Sequence, residues 1–222
     1  MADRQTDAKA LRTFDRMAKV YDGLTAFWSN GRVSRCKLAQ LEHIGPGDKV
    51  LYVGVGTGEE AVEAVRKGAD VTCLDLASEM IEIVRSRLAK NALEARLIHG
   101  DMFDHHESYD VVCANFFLDC FDPDGMRRAA EHLIGLVRPG GRFLVSDVTT
   151  PQGSLPARWF TAAHHSVAFA VSRLQGLTPW YPVYDYPSVF EASGLEIVER
   201  EFFALWNGGP VVYQALAARK PL

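Results

Sequence analysis

Gly54, Gly56 and Gly58 fall in the run Val53-Gly54-Val55-Gly56-Thr57-Gly58, directly after the apolar stretch Lys49-Val50-Leu51-Tyr52-Val53. A glycine-rich turn between strand and helix lets a ligand reach backbone amides without meeting a Cβ, and it permits the tight reversal. Asp75 closes the next apolar stretch, Asp70-Val71-Thr72-Cys73-Leu74. Nucleoside-binding folds place a ribose-gripping carboxylate at this distance, about 20 residues on. Its two oxygens offer paired acceptors to a vicinal diol. These four positions point to a nucleoside-containing ligand at one edge of a sheet.

His164, His165 and Tyr184 form a second group, able to take a proton from a nucleophile. They lie in or beside a segment carrying Trp159, Phe160, Phe169, Trp180 and Tyr181, which would make an apolar cover over an acceptor. In the alternative, the helix simply packs on the sheet and its histidines face solvent. Asp104-His105-His106-Glu107 has metal-ligating residue types, but it sits in a polar connection that a solvated loop explains. Asp119 and Asp147 each follow a strand and could ligate a divalent ion. No third ligand is recognisable, so no metal site is expected.

The elements that must position these residues alternate. Strand patterns at 49–53, 70–75, 95–99, 109–115 and 141–148 are separated by helical patterns at 59–67, 78–91 and 123–137. Ser78 is placed to cap the second helix, whose stripe is Ile81, Val84 and Leu88. Arg138-Pro139-Gly140-Gly141 is a stop signal for the third. The alternation predicts a parallel sheet with helices on both faces, an α/β Rossmann-like architecture. A helical pattern at 156–174 then interrupts the rhythm, followed by a short helix at 186–192 and strands at 195–205 and 211–218. Asn207-Gly208-Gly209 between those strands reads as a hairpin, making them antiparallel. Two more helices, at 8–21 and 32–43, precede the sheet. One domain over 1–222 results, with an N-terminal helical cap (1–45) and a helical insert (150–185) as substrate cover.

Composition narrows the class. With 48% hydrophobic and 23% charged residues the chain reads as an ordinary globular domain, and a net charge of −4 argues against a nucleic-acid partner. No segment has the length of a membrane span, and the polar start lacks a signal-peptide core, so a cytoplasmic protein is expected. Cys36, Cys73, Cys113 and Cys120 have no zinc-type spacing and read as thiols of a reducing compartment. The modest positive charge of the aromatic insert favours a lid or a homodimer contact over a membrane-surface face.

The chain from Phe14 onward resembles the class I S-adenosylmethionine-dependent methyltransferases. Four blocks carry the resemblance: Val50 to Gly58, Leu74-Asp75-Leu76-Ala77-Ser78-Glu79-Met80, Gly100-Asp101-Met102-Phe103, and Leu136-Val137-Arg138-Pro139-Gly140-Gly141-Arg142-Phe143. Within that group, Phe14-Asp15-Arg16-Met17-Ala18-Lys19-Val20-Tyr21-Asp22 and Ser29-Asn30-Gly31-Arg32 look like the entry of the ubiquinone/menaquinone C-methyltransferases. The resemblance implies a seven-stranded, mostly parallel sheet with an antiparallel last strand. It also implies S-adenosylmethionine as cofactor. Gly54, Gly56 and Gly58 would line its methionine part, Asp75 its ribose, Leu76 and Met102 its adenine, and Asp101 the exocyclic amine. Asn115 and Tyr21 would stand at the methionyl end.

One position departs. The family has Asp or Glu two residues before the first glycine, helping to hold the methionine part, and this chain has Tyr52. Glu59 or Asp119 could compensate, or the phenol could hydrogen-bond in that place. The implied function is methyl transfer to a small, apolar or aromatic acceptor. The alternative is a non-catalytic or regulatory cofactor-binding protein that retains the fold. A dinucleotide oxidoreductase fits less well, because the later glycine of that fingerprint is missing.

Overall fold

The computed structural model describes residues 27–174 and 183–222. Strands β1 (Lys49–Val53), β2 (Asp70–Asp75), β3 (Arg96–His99), β4 (Tyr109–Cys113), β5 (Val137–Val148), β6 (Glu196–Ala204) and β7 (Val211–Arg219) form one sheet. Their order is β3-β2-β1-β4-β5-β7-β6. The first five are parallel to one another, and β7 lies antiparallel between β5 and β6. The hairpin at Asn207-Gly208-Gly209 is therefore present, and it inserts the last strand inward rather than adding it at the edge.

The helices among the described residues are α1 (Arg32–Ala39), α2 (Glu59–Arg66), α3 (Ser78–Lys90), α4 (Pro123–Leu136), α5 (Leu155–Leu174) and α6 (Tyr186–Ala192). Strand alternation sends β1 residues to two cores. Leu51 and Val53 join Met126, Leu133 and Ile134 of α4 and Phe190 of α6. Val50 and Tyr52 join Ala61 and Ala64 of α2 and Ile81, Val84 and Leu88 of α3. The helices thus cover both faces. A fully buried side chain such as Leu133 or Val84 contributes about 1.5–3 kcal/mol by leaving water. A third cluster, around Cys36 of α1 with Val212 and Tyr213, seals the end where β5 and β7 meet.

Three local expectations change. Ser78 is the first residue of α3 and makes no side-chain cap; Ala77 precedes it in extended conformation. α4 stops at Leu136 as Arg138-Pro139-Gly140-Gly141 signals, but β5 starts at Val137 rather than at 141 and takes those residues in with a register shift against β4. The helix expected over 32–43 closes at Ala39 and tightens into a 3₁₀ turn, Gln40–His43. The helix expected at 8–21 lies outside the described residues, as do Tyr21, Trp180 and Tyr181. Among the described residues no helix is long and apolar enough to cross a membrane.

Candidate active site

The glycine turn leaves β1 with three left-handed residues, Gly54 (φ 58°), Gly56 (φ 55°) and Gly58 (φ 71°). Two of these positions also lack room for a side chain. A Cβ on Gly54 would stand 2.2 Å from the Phe117 ring, and one on Gly58 would stand 2.6 Å from Val84. The turn is locked to the end of β2 through Asp75. Its Oδ2 accepts from the Gly56 amide at 3.0 Å and its Oδ1 from the Ala77 amide at 2.9 Å. Leu76, the next residue, is 42% exposed. Loop, acid and apolar platform therefore share one edge of the sheet, where open α/β sheets bind ligands.

The end of β3 supplies the neighbouring turn. Asp101 is exposed and caps the short 3₁₀ turn Met102–Asp104, its Oδ1 accepting from the Phe103 amide at 2.9 Å. Met102 is buried in the core with Leu74, and its carbonyl accepts from His132 Nε2 at 2.7 Å. Phe103 keeps its ring partly in solvent, tilted 5.3 Å from the His132 ring.

The other end of the glycine turn, toward β4, is polar and enclosed. Tyr52 is buried, and its hydroxyl donates to the Glu60 carbonyl at 3.5 Å. Burial, then the nearby Cys113 and Glu60, push its phenol well above the ordinary value, so it stays neutral. Asn115 accepts from the Ser146 amide at 2.9 Å and turns its Nδ2 to Glu60 Oε1 at 3.4 Å. Glu60 Oε2 in turn meets Lys37 Nζ of α1 at 2.9 Å. Glu59 faces away and takes the Ser34 hydroxyl at 2.7 Å. The acid that accompanies Tyr52 here is thus Glu60, which sequence reasoning passed over. Its signal was the spacing 60, 61, 64 on the buried face of α2.

A second buried group lies past β4 and β5. Asp147 Oδ2 accepts from the Tyr186 hydroxyl at 2.6 Å and Oδ1 from its neighbour's amide, Val148, at 2.7 Å. Burial, reinforced by the charge of Asp119, raises the Asp147 carboxyl well above the carboxylate range. Loss of solvent pushes Asp119 up to about 6. Tyr184 belongs to the same core and donates to the Phe121 carbonyl at 2.7 Å.

His164 and His165 are buried rather than solvated, and they address β7. His164 Nε2 is 3.2 Å from the Tyr213 hydroxyl, and its ring stacks on Trp28 at 5.0 Å. His165 Nε2 donates to the Val212 carbonyl at 3.0 Å, leaving a bare Nδ1 without a partner. Burial lowers both, His165 to about 4. The histidines and Tyr184 therefore contact different sets of residues. Of the aromatic insert, Trp159 is 77% exposed and Phe160 meets Trp206 edge-on at 5.3 Å. Among the described residues no three His, Cys, Asp or Glu side chains are grouped to hold a metal ion.

Comparison with known proteins fits this geometry. Residues 50–141 match the methyltransferase-domain family. Demethylmenaquinone methyltransferase of Clavibacter sepedonicus is 27% identical over 167 residues, covering 72% of this chain and 66% of that protein. The enzyme of the same name from Mycobacterium sp. (strain JLS) is 34% identical over 148 residues, covering 62% and 59%. The chain thus spans about two thirds or less of these relatives. Burkholderia thailandensis 1,6-didemethyltoxoflavin-N1-methyltransferase, solved with S-adenosylhomocysteine and its acceptor, superposes with a TM-score of 0.68 at 16% identity, over 97% of this chain and 90% of that one. The [4+2]-cyclase SpnF shares the fold at TM-score 0.64 and 17% identity, over 85% and 80%.

Proposed function

We propose that this chain, which belongs to the class I S-adenosylmethionine-dependent methyltransferases, moves the cofactor's methyl group to a small apolar or aromatic acceptor. One observation carries most of the reading. Asp75 ties Gly56 to Ala77 beside exposed Leu76, which supports reading the carboxylate as a diol acceptor and Leu76 as an adenine platform at the mouth of the glycine turn. In this reading Gly54, Gly56 and Gly58 follow the methionine part and Asp75 takes the ribose. Asp101 receives the exocyclic amine, and Leu76 covers one adenine face. Met102 backs the other face from the core, with Phe103 as its exposed neighbour. Asn115 and Tyr21 attend the methionyl end.

Bound there, the cofactor supplies a methyl group on a sulfonium, an electrophile that needs little activation. The chain's task is to hold acceptor and methyl in line and keep water out. An acceptor with an acidic proton also needs a base. His164, His165 and Tyr184 are the candidates from the sequence, and Asp119, whose carboxyl is pushed up by burial, joins them. A demethylated quinone, the acceptor in the relatives' names, suits a cover lined by aromatic side chains.

Calorimetry with S-adenosylmethionine and S-adenosylhomocysteine tests the cofactor reading. Saturable binding of both is expected, and absence of binding to either would overturn it. A second reading has Tyr52 in its favour: a neutral phenol replaces the acid that helps hold the methionine part. Saturable binding with no transfer across a panel of quinones and phenols would support a non-catalytic role.

A further inference from the structure

We infer that Lys37 and Glu60 together bind the amino-acid end of the cofactor, Glu60 its α-ammonium and Lys37 its α-carboxylate. The inference rests on the cofactor reading above and names how this chain replaces the acid it lacks at Tyr52. Glu60 stands two residues past the glycine turn, in the first turn of α2. Its carboxylate touches Asn115, just past the end of β4, and its backbone carbonyl receives the Tyr52 hydroxyl. The acid is therefore displaced from strand to helix but still lies between the ends of β1 and β4.

The pair is an expensive feature to keep for stability alone. The Glu60 side chain is 4% exposed and that of Lys37 16%, with 2.9 Å between Nζ and Oε2. Removing two charges from water costs several kcal/mol per ion, and replacing such a pair with apolar residues is often neutral or stabilising. The amino-acid end of the cofactor carries one ammonium and one carboxylate on the same carbon. A carboxylate and an ammonium held side by side form its electrostatic complement. Lys37 Nζ and Glu60 Oε2 pair at 2.9 Å, and a bound zwitterion would offer each of them an opposite charge. Glu59, bonded to Ser34, anchors α1 to α2 and keeps Lys37 in reach.

Truncated ligands test this without relying on turnover. Affinities of the full-length protein and its variants are measured by calorimetry for three ligands. S-adenosylhomocysteine has both charged groups. Decarboxylated S-adenosylmethionine lacks the carboxylate, and 5′-methylthioadenosine lacks the whole amino-acid end. Glu60→Gln should weaken the first two by roughly 10- to 100-fold, the range for one hydrogen bond to a charged group, and leave 5′-methylthioadenosine unchanged. Lys37→Met should weaken S-adenosylhomocysteine alone. The double variant Lys37→Met/Glu60→Leu removes both charges; it should melt no lower than wild type and lose the preference for S-adenosylhomocysteine over 5′-methylthioadenosine. An equal loss for all three ligands in Glu60→Gln would mark a merely structural pair and overturn the inference. So would unchanged affinity for S-adenosylhomocysteine. Wild-type protein that binds none of the three would overturn the cofactor reading as well.

Discussion

Replacing Asp75 by Ala should separate ligand binding from folding in a measurable way. Two ribose hydroxyls donating to one carboxylate are each worth about 1.5–3 kcal/mol, so their loss predicts affinity weaker by about 100- to 10,000-fold. The same carboxylate also holds the amides of Gly56 and Ala77 at 3.0 and 2.9 Å. Leaving those donors without it costs about 1–3 kcal/mol, toward the lower end because the site is half-buried, and each kcal/mol lowers Tm by about 2–4 °C in a chain of this size. Calorimetric titration with S-adenosylhomocysteine, paired with thermal melts, reads both quantities. Asp104→Ala, on the exposed turn after β3, should change neither. A folded Asp75→Ala protein binding S-adenosylhomocysteine within about threefold of wild type, a difference worth under 1 kcal/mol, would refute the ribose assignment.

Gly58→Ala should destabilise the fold by about 1–3 kcal/mol, because φ is 71° and the new Cβ would lie 2.6 Å from Val84. Adding Val84→Ala should relieve the clash but not the backbone strain, which a denaturation series on the two variants would show. His165 is held neutral by burial, its pKa lowered from 6.5 to about 4. The unfolded chain therefore binds a proton first, and the stability contributed by this residue falls as pH drops from 6.5 to 4. Asp119 has the opposite sign: raised from 3.8 to about 6, it makes stability fall as pH climbs through that interval. Melting curves of His165→Gln and Asp119→Asn against wild type over pH 4–7 should tilt in opposite directions, and parallel curves would contradict both assignments.

The sheet was legible because its signals are local. Apolar runs alternate faces on β1, and the turn at Asn207-Gly208-Gly209 dictates a reversal whatever surrounds it. Arg138-Pro139-Gly140-Gly141 marks the end of α4 correctly but places the start of β5 four residues late, because residues that stop a helix can also be absorbed into an extended strand when β4 offers a partner for Val137. The fate of polar side chains was harder to read. Glu59 and Glu60 are indistinguishable as a sequence pair, yet a rotation of about 100° along the helix sends one to Ser34 and the other to Lys37. His164 and His165 allowed a base or a solvated face. Instead Thr161, His164 and His165 form a polar stripe that meets the start of β7, with Thr161 and His165 bonding the carbonyls of Val211 and Val212. That demand comes from a strand nearly fifty residues away, and no local pattern announces it.

Methyl transfer by this chain is open to a direct, mass-resolved assay. Protein, S-adenosylmethionine and a panel of demethylated quinones and simple phenols would be incubated together and the products weighed. One acceptor should gain one methylene in mass with S-adenosylhomocysteine formed in equal amount, and both should be lost in Asp75→Ala. Tight cofactor binding with no acceptor changed and no S-adenosylhomocysteine released would contradict methyl transfer.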